Sequence, residues 1–275
     1  MKELWLEKEP SVVYGGKINQ LINLCQLGLS VPKALILPAD QVMAWLRETL
    51  PEYSEQGLEE LIKLGKEEIA ERLQHYPLEP AWQRELAAFC QENQAYIVRS
   101  SALLEDGQAM SFAGQYDSIG NCRTLSEIEQ GIRSCLLSLF NPEALAYWQR
   151  QGLADKDFAM AVLIQEQIEP DFSGVCFSLD VGTNQDQTML LEYVKGSAES
   201  LVSGQVNPER LTLPWYKADW SQFEEAEIPL TVLQKLHEQV LEIVAYFGRP
   251  IDIEWCSVQE QVYLLQARPI TTVPT

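Results

Sequence analysis

From Lys17 to Gly28, apolar residues recur at Ile18, Leu21, Ile22 and Cys25. This is the i, i+3, i+4, i+7 spacing of a helix with one buried stripe, and Gly28 marks its C-terminal end. Val31–Leu37 then reads as a short strand. Ala39–Leu50, Glu55–Leu73 and Pro80–Glu92 read as helices, the second charged enough to present a solvent face. Ala95–Arg99 is a short β run that ends at Ser100 and Ser101. The Gly- and Ser-containing stretch Ser100–Tyr116 has little periodicity and reads as a loop. Leu125–Phe140 and Pro142–Gln151 predict two more helices.

The pattern then changes. Ala159–Gln165, Gly174–Ser178 and Thr188–Val194 are β-rich runs separated by polar turns. Lys195–Gly204 is small and polar, which suits a ligand-facing loop. Leu230, Leu233, Leu236, Val240, Leu241 and Val244 mark a helix over Pro229–Phe247, stopped by Gly248, Arg249 and Pro250. Two strands close the chain, Ile251–Trp255 and Gln261–Gln266. A helix-rich first part and a strand-rich second part predict an α+β or mixed α/β fold in two lobes; α+β is the expectation, divided as 1–167 and 168–275.

Composition narrows the functional classes. Hydrophobic residues at 46% and charged residues at 22% are globular values and exclude long disorder. Twenty basic against forty acidic residues give a net charge of −20, which argues against nucleic acid or an anionic membrane as partner. A local basic site for phosphate is compatible with that total. The longest charge-free run, Ile18–Pro32, is too short and too polar to span a bilayer. Met1–Pro10 alternates acid, base and tryptophan, unlike a secretory signal. The six cysteines are never closer than thirteen residues, so neither a zinc ribbon nor a redox pair is indicated. Reduced core cysteines and a cytoplasmic location are the expectation.

Three groups of residues carry candidate chemistry. Gly15, Gly16 and Lys17 open a predicted helix, where glycines admit an anion to the free N–H groups and lysine adds charge. The same triplet also serves as a plain helix start, and the Walker A spacing is absent. Arg99 at a strand end, followed by two hydroxyls, suits phosphate oxygens, though a surface arginine has the same pattern. Glu254, Gln266 and Arg268 lie on the last two strands, with Gln266 and Arg268 on one face. A carboxylate, an amide oxygen and an arginine there suit Mg²⁺ with a polyphosphate. An ordinary ion pair between Glu254 and Arg268 is the alternative.

Taken in order, several stretches resemble one family. GGK at Gly15, GLSVPKALIL at Gly28, YIVRSSALLED at Tyr96 and SFAGQYDSIGN at Ser111 come first. AVLIQEQIEPDFSGVCF at Ala161, LVSGQVNPERL at Leu201 and IDIEWCSVQEQVYLLQARPIT at Ile251 follow. Over nearly its whole length the chain resembles the N-terminal ATP-binding domain of phosphoenolpyruvate synthase, pyruvate phosphate dikinase and rifampicin phosphotransferase.

The resemblance implies an ATP-grasp-like fold with ATP held between two lobes. It implies that Lys17, Arg99 and Arg268 bind phosphates and act in catalysis, and that Gly114 and Ser118 line a loop over the phosphate chain. The family more often has threonine where Ser118 stands. Gln165 falls at the adenine hinge, and Glu254 and Gln266 fall on the nucleotide and Mg²⁺ ligands. In that family ATP phosphorylates a histidine on a swivelling domain, which delivers the phosphate elsewhere.

His75 and His237 sit in helical stretches without the family's histidine motif. The expected function is therefore the ATP-binding half of a dikinase-like phosphotransferase. A histidine-containing phosphocarrier domain or subunit would be its partner, on another chain or in a part of this one. Departures at Lys195–Gln205, where Gly196-Ser197-Ala198-Glu199 replaces a GLGE-like turn, leave a non-catalytic nucleotide sensor as the alternative.

Overall fold

The computed structural model describes residues 1–4, 7, 9–52, 63–103, 118–142, 144–146, 158–179, 187–197, 207–216 and 218–270. The chain divides into two compact units: Met1–Ile22 with Lys33–Gln167, and Asn23–Pro32 with Ile168–Thr275. The fold class is α+β, as the sequence pattern predicts.

The first unit is built on a five-stranded antiparallel sheet. Its strands are β1 (Lys2–Glu3), β2 (Ala34–Leu37), β3 (Tyr96–Ala102), β4 (Ser118–Cys122) and β5 (Met160–Glu166), in the order β1-β2-β5-β3-β4. Helix α1 (Gly15–Gln26) precedes β2. Helices α2 (Ala39–Thr49), α3 (Lys66–His75) and α4 (Pro80–Phe89) lie between β2 and β3, and α5 (Leu125–Ser138) follows β4.

Trp45 of α2 gathers the helical layer. Its ring lies 5.8 Å from Tyr76 and 6.1 Å from Trp82, and its indole N–H donates to Pro77 O at 2.9 Å. A buried aromatic thus finds both apolar contact and a polar partner. Helix α5 starts with a capping box, Thr124 and Glu127 each satisfying the other's backbone N–H. It packs on β3 at Gly131, where a Cβ would stand 2.9 Å from Val98 Cγ2. A side chain at 131 would press on Val98.

The second unit is also a five-stranded antiparallel sheet. It contains β6 (Phe172–Phe177), β7 (Thr188–Lys195), β8 (Glu209–Pro214), β9 (Ile251–Val258) and β10 (Gln261–Pro269), in the order β10-β9-β6-β7-β8. Helix α6 (Leu230–Phe247) packs on β9 and β10. One sheet face is apolar, with Ile251, Ile253, Trp255, Val262, Leu264 and Ala267 buried. Burying each of the Val, Leu and Ile side chains among them contributes about 1.5–3 kcal/mol. The segment Asn23–Pro32 reaches the outer strand, where Leu264 N donates to Ser30 O at 2.8 Å.

Several expectations need correction. The predicted helix over Glu55–Leu73 is interrupted: Gly65 sits at φ +80 and caps a separate helix, α3. Charge periodicity runs through that glycine, but only glycine takes the conformation cheaply. Residues 53–62 lie outside the described residues. Ser100 and Ser101 belong to β3 and not to a loop. Strand β4 begins at Ser118, where a loop was expected, and β8 carried too little alternation to be read. Both final strands run longer than predicted, so Arg268 lies within β10. The polar stretch after Ser197 and most of Pro142–Gln151 fall outside the described residues.

All six cysteines are free thiols. Burial pushes Cys176 and Cys256 up to about 12 and Cys90 up to about 11, so these sulfurs stay protonated and inert. Among the described residues, no helix is long and apolar enough to cross a membrane.

Candidate functional site

Two of the sequence candidates meet in the first unit. Gly15 begins α1 with φ +73, and a Cβ there would lie 2.4 Å from Ser101 O and 2.6 Å from Ser101 Oγ. The helix start is therefore seated against the end of β3, at a position only glycine can occupy. Ser101 Oγ accepts from Ile18 N at 3.3 Å, and Lys17 Nζ donates to Ser100 O at 3.3 Å. Gly15-Gly16-Lys17 and Arg99-Ser100-Ser101, distant in sequence, form one junction.

Strand alternation places the other candidates. Ile97, Arg99 and Ser101 share one face of β3, opposite the Val98 face that meets α5. Ser118 of β4 is the register partner of Arg99, and Gln165 of β5 is the partner of Ile97. Arg99, Ser101, Ser118 and Gln165 therefore lie on one face of the sheet. Gln165 is buried. Gly114 lies outside the described residues.

In the second unit, Glu254 and Gln266 are register partners, and Asp252 is the partner of Arg268. Arg268 Nε donates to Asp252 Oδ2 at 2.7 Å. Alternation counted straight through β10 would put Gln266 and Arg268 on the apolar side with Val262 and Leu264. A register irregularity between Leu264 and Gln266 inserts Leu265 and turns both polar residues to the Asp252 and Glu254 side. Four polar side chains then form two adjacent rungs on the face away from the apolar one.

Burial acts on this group. Desolvation raises the Asp252 carboxyl above its ordinary range, against the opposing pull of the Arg268 guanidinium. Asp252 Oδ1 is buried with no hydrogen-bond partner in the protein. A second carboxylate, Glu166 at the end of β5, is likewise raised by burial, with Lys33 pulling the other way. A separate hollow of about 470 Å³, lined by Phe172, Lys195, Gly196, Val232 and Ser257 among others, opens elsewhere in the second unit. Lys195 and Gly196 begin the stretch expected to face a ligand, and none of the phosphate, nucleotide or Mg²⁺ candidates lines this hollow.

Similarity to known proteins decides the family. The family described as pyruvate phosphate dikinase, AMP/ATP-binding domain, matches residues 11–220 and 215–275. The chain belongs to this family. A probable phosphoenolpyruvate synthase of Methanocaldococcus jannaschii is 28% identical over 95% of this chain and 26% of its own length. Rifampicin phosphotransferase of Bacillus cereus is 32% identical over 75% of this chain and 26% of its own. The chain spans about a quarter of the length of these curated relatives. Among solved structures, D-alanine-D-alanine ligase of Helicobacter pylori aligns over 94% of this chain and 54% of its own, at 11% identity and a TM-score of 0.45.

For a domain of this family the donor set in the second unit is pertinent. Glu254 and Gln266 offer hard oxygen donors across one rung, and the orphaned Asp252 Oδ1 stands on the next. No group of three or more His, Cys, Asp or Glu side chains able to hold a metal occurs among the described residues. Mg²⁺ suits such a sparse set, since it is usually held by one or two carboxylates together with phosphates and water. The donors present fit that ion.

Asp252 escaped the sequence reading. Its signal was the spacing of Asp252 and Glu254, which places two carboxylates on one strand face. Asp252 also gives a pH prediction. Its folded pKa is raised, so its contribution to stability is full below the unfolded value and is lost as pH rises through the folded one. The Asp252→Asn protein, which cannot ionise there, should melt higher than wild type at pH 8. That gap should close on acidification to pH 4. Thermal melts across this range check it, and a gap that widens toward acid would refute the assignment.

Proposed function

We propose that this chain binds MgATP and is the ATP-binding part of a phosphotransferase that phosphorylates a histidine on a separate domain or subunit. One observation carries the reading. Each unit gathers its candidates on a single sheet face: Arg99, Ser118 and Gln165 beside the Lys17 junction in one, and Asp252, Glu254, Gln266 and Arg268 in the other. In this reading Lys17, Arg99 and Arg268 bind and neutralise phosphates, Gln165 contacts the base, and Glu254 with Gln266 would hold Mg²⁺. The metal, when bound, supplies charge neutralisation at the phosphates. Positioning and charge stabilisation are most of what phosphoryl transfer asks of a protein.

The histidines in the described residues support an external acceptor. His237 Nε2 lies 2.8 Å from Pro214 O, and a carbonyl only accepts, so that nitrogen carries the proton. Its ring stands edge-on to Trp220 at 5.3 Å and is buried. His237 is a packing residue. His75 ends α3, among polar surface positions.

The test uses ATP labelled at the β and γ phosphates. The pure chain should gain thermal stability from MgATP, by linkage to the folded state, and gain less from ATP with EDTA. It should not label itself. With a histidine domain of a family relative added, label should appear on that domain as acid-labile phosphohistidine. Stoichiometric self-labelling at His75 or His237 would overturn the proposal. Binding without transfer to any such domain would favour a nucleotide sensor, the reading that the unusual Gly196-Ser197-Ala198-Glu199 sequence also suits. No stabilisation at millimolar MgATP would refute nucleotide binding itself.

A further inference from the structure

We infer that Ser101 is a positioning residue of the nucleotide site, fixing Lys17 relative to Arg99. This rests on the MgATP reading above; the sequence reading used Ser101 only as a hydroxyl suited to phosphate, not as the support of Lys17. Three contacts carry the inference. Ser101 is fully buried, and its Oγ accepts from Ile18 N, the residue directly after Lys17. Its carbonyl and hydroxyl together close off the Cβ position of Gly15, so the helix start is seated on Ser101 from two sides. The preceding carbonyl, Ser100 O, receives Lys17 Nζ.

Arg99 lies two residues before Ser101 on the same strand and the same face. The strand therefore sets the place of the arginine, while the Ser101 hydroxyl sets the place of the lysine through the backbone of α1. A helix start leaves backbone N–H groups that need acceptors, and a side-chain oxygen is the usual supplier. Here the supplier comes from a strand far away in sequence. The helix, the lysine and the arginine are thereby held as one unit, and phosphate binding by two cations depends strongly on such spacing.

The test combines Ser101→Ala, Lys17→Ala and the double variant, with MgATP affinity measured by calorimetry and amide exchange followed at Ile18. Ser101→Ala should weaken MgATP binding about tenfold, in the range expected for loss of one buried hydrogen bond. Exchange at Ile18 should quicken without nucleotide. In the Lys17→Ala background the serine change should add little, because its effect runs through the lysine. If the alanine protein does not fold, Ser101→Cys carries the same test, since it keeps a similar shape and forfeits the strong oxygen acceptor.

Additive effects of Ser101 and Lys17, or unchanged affinity with wild-type binding intact, would overturn the Ser101 assignment alone. Unchanged Ile18 exchange would overturn the contact itself. A wild-type protein that does not bind MgATP would sink the nucleotide reading and this inference together.

Discussion

Replacing Arg268 by alanine should weaken MgATP binding by one to two orders of magnitude and lower thermal stability in the same protein. The two effects have different causes. Loss of a charge-assisted hydrogen bond to phosphate accounts for the first, at about 1.5–3 kcal/mol. The second comes from Asp252, whose Oδ2 accepts from Arg268 Nε and whose Oδ1 has no protein partner. Without the guanidinium, a buried carboxylate is left uncompensated. Breaking a buried pair costs about 3–5 kcal/mol, and the partial exposure of Arg268 puts this case below that range.

The double variant Asp252→Asn with Arg268→Ala separates the two effects. It should recover most of the lost stability, because no charge remains to be buried, and should recover little of the affinity. Calorimetric titration and thermal melts on the three proteins measure both quantities. Full recovery of binding in the double variant would show that Arg268 acts only through Asp252 and does not meet phosphate. Arg268→Lys should fall between, since an ammonium keeps the charge and loses the planar fork.

The second large effect is expected at Gly174. A Cβ there would lie 2.0 Å from Glu192 O and 2.8 Å from Tyr193 Cα. Both atoms are backbone of the adjacent strand, hydrogen-bonded to β6 in register with Gly174 opposite Tyr193. No rotamer change relieves the overlap, so β6 and β7 must separate and lose ladder bonds. Overpacking typically costs about 1–3 kcal/mol, and this clash lies at the upper end of that range. For a unit of this size Gly174→Ala should lower the melting temperature by roughly 10 °C.

Gly131→Ala is the internal comparison. Its nearest atom is Val98 Cγ2 at 2.9 Å, the end of a side chain that can give way. It should cost distinctly less. Melts of the two variants side by side check this, and equal losses would mean that backbone clash is not the deciding factor.

Much of the molecule was legible in the chain itself. The 3.6-residue recurrence at Ile18, Leu21, Ile22 and Cys25 determined α1, and that from Leu230 to Val244 determined α6, because one buried stripe per helix is a local property. The residue types at Lys17, Arg99, Glu254, Gln266 and Arg268 suggested the chemistry proposed above, since phosphate and a hard cation ask for those groups. Other features depended on partners far away in sequence. Gly65 broke a charged helix that periodicity carries straight through. The weakly alternating Ser118–Cys122 became a strand by pairing with β3. The junction of Gly15-Gly16-Lys17 with Ser100 and Ser101 spans some eighty residues, a contact that no local pattern encodes. The bulge at Leu265 was hidden as well: strict alternation would have buried Gln266 and Arg268 on the apolar side, and only pairing with β9 fixes where the extra residue sits. Side-chain chemistry is written residue by residue in the sequence, whereas the face each side chain reaches is decided by register, which exists only once the strands have paired.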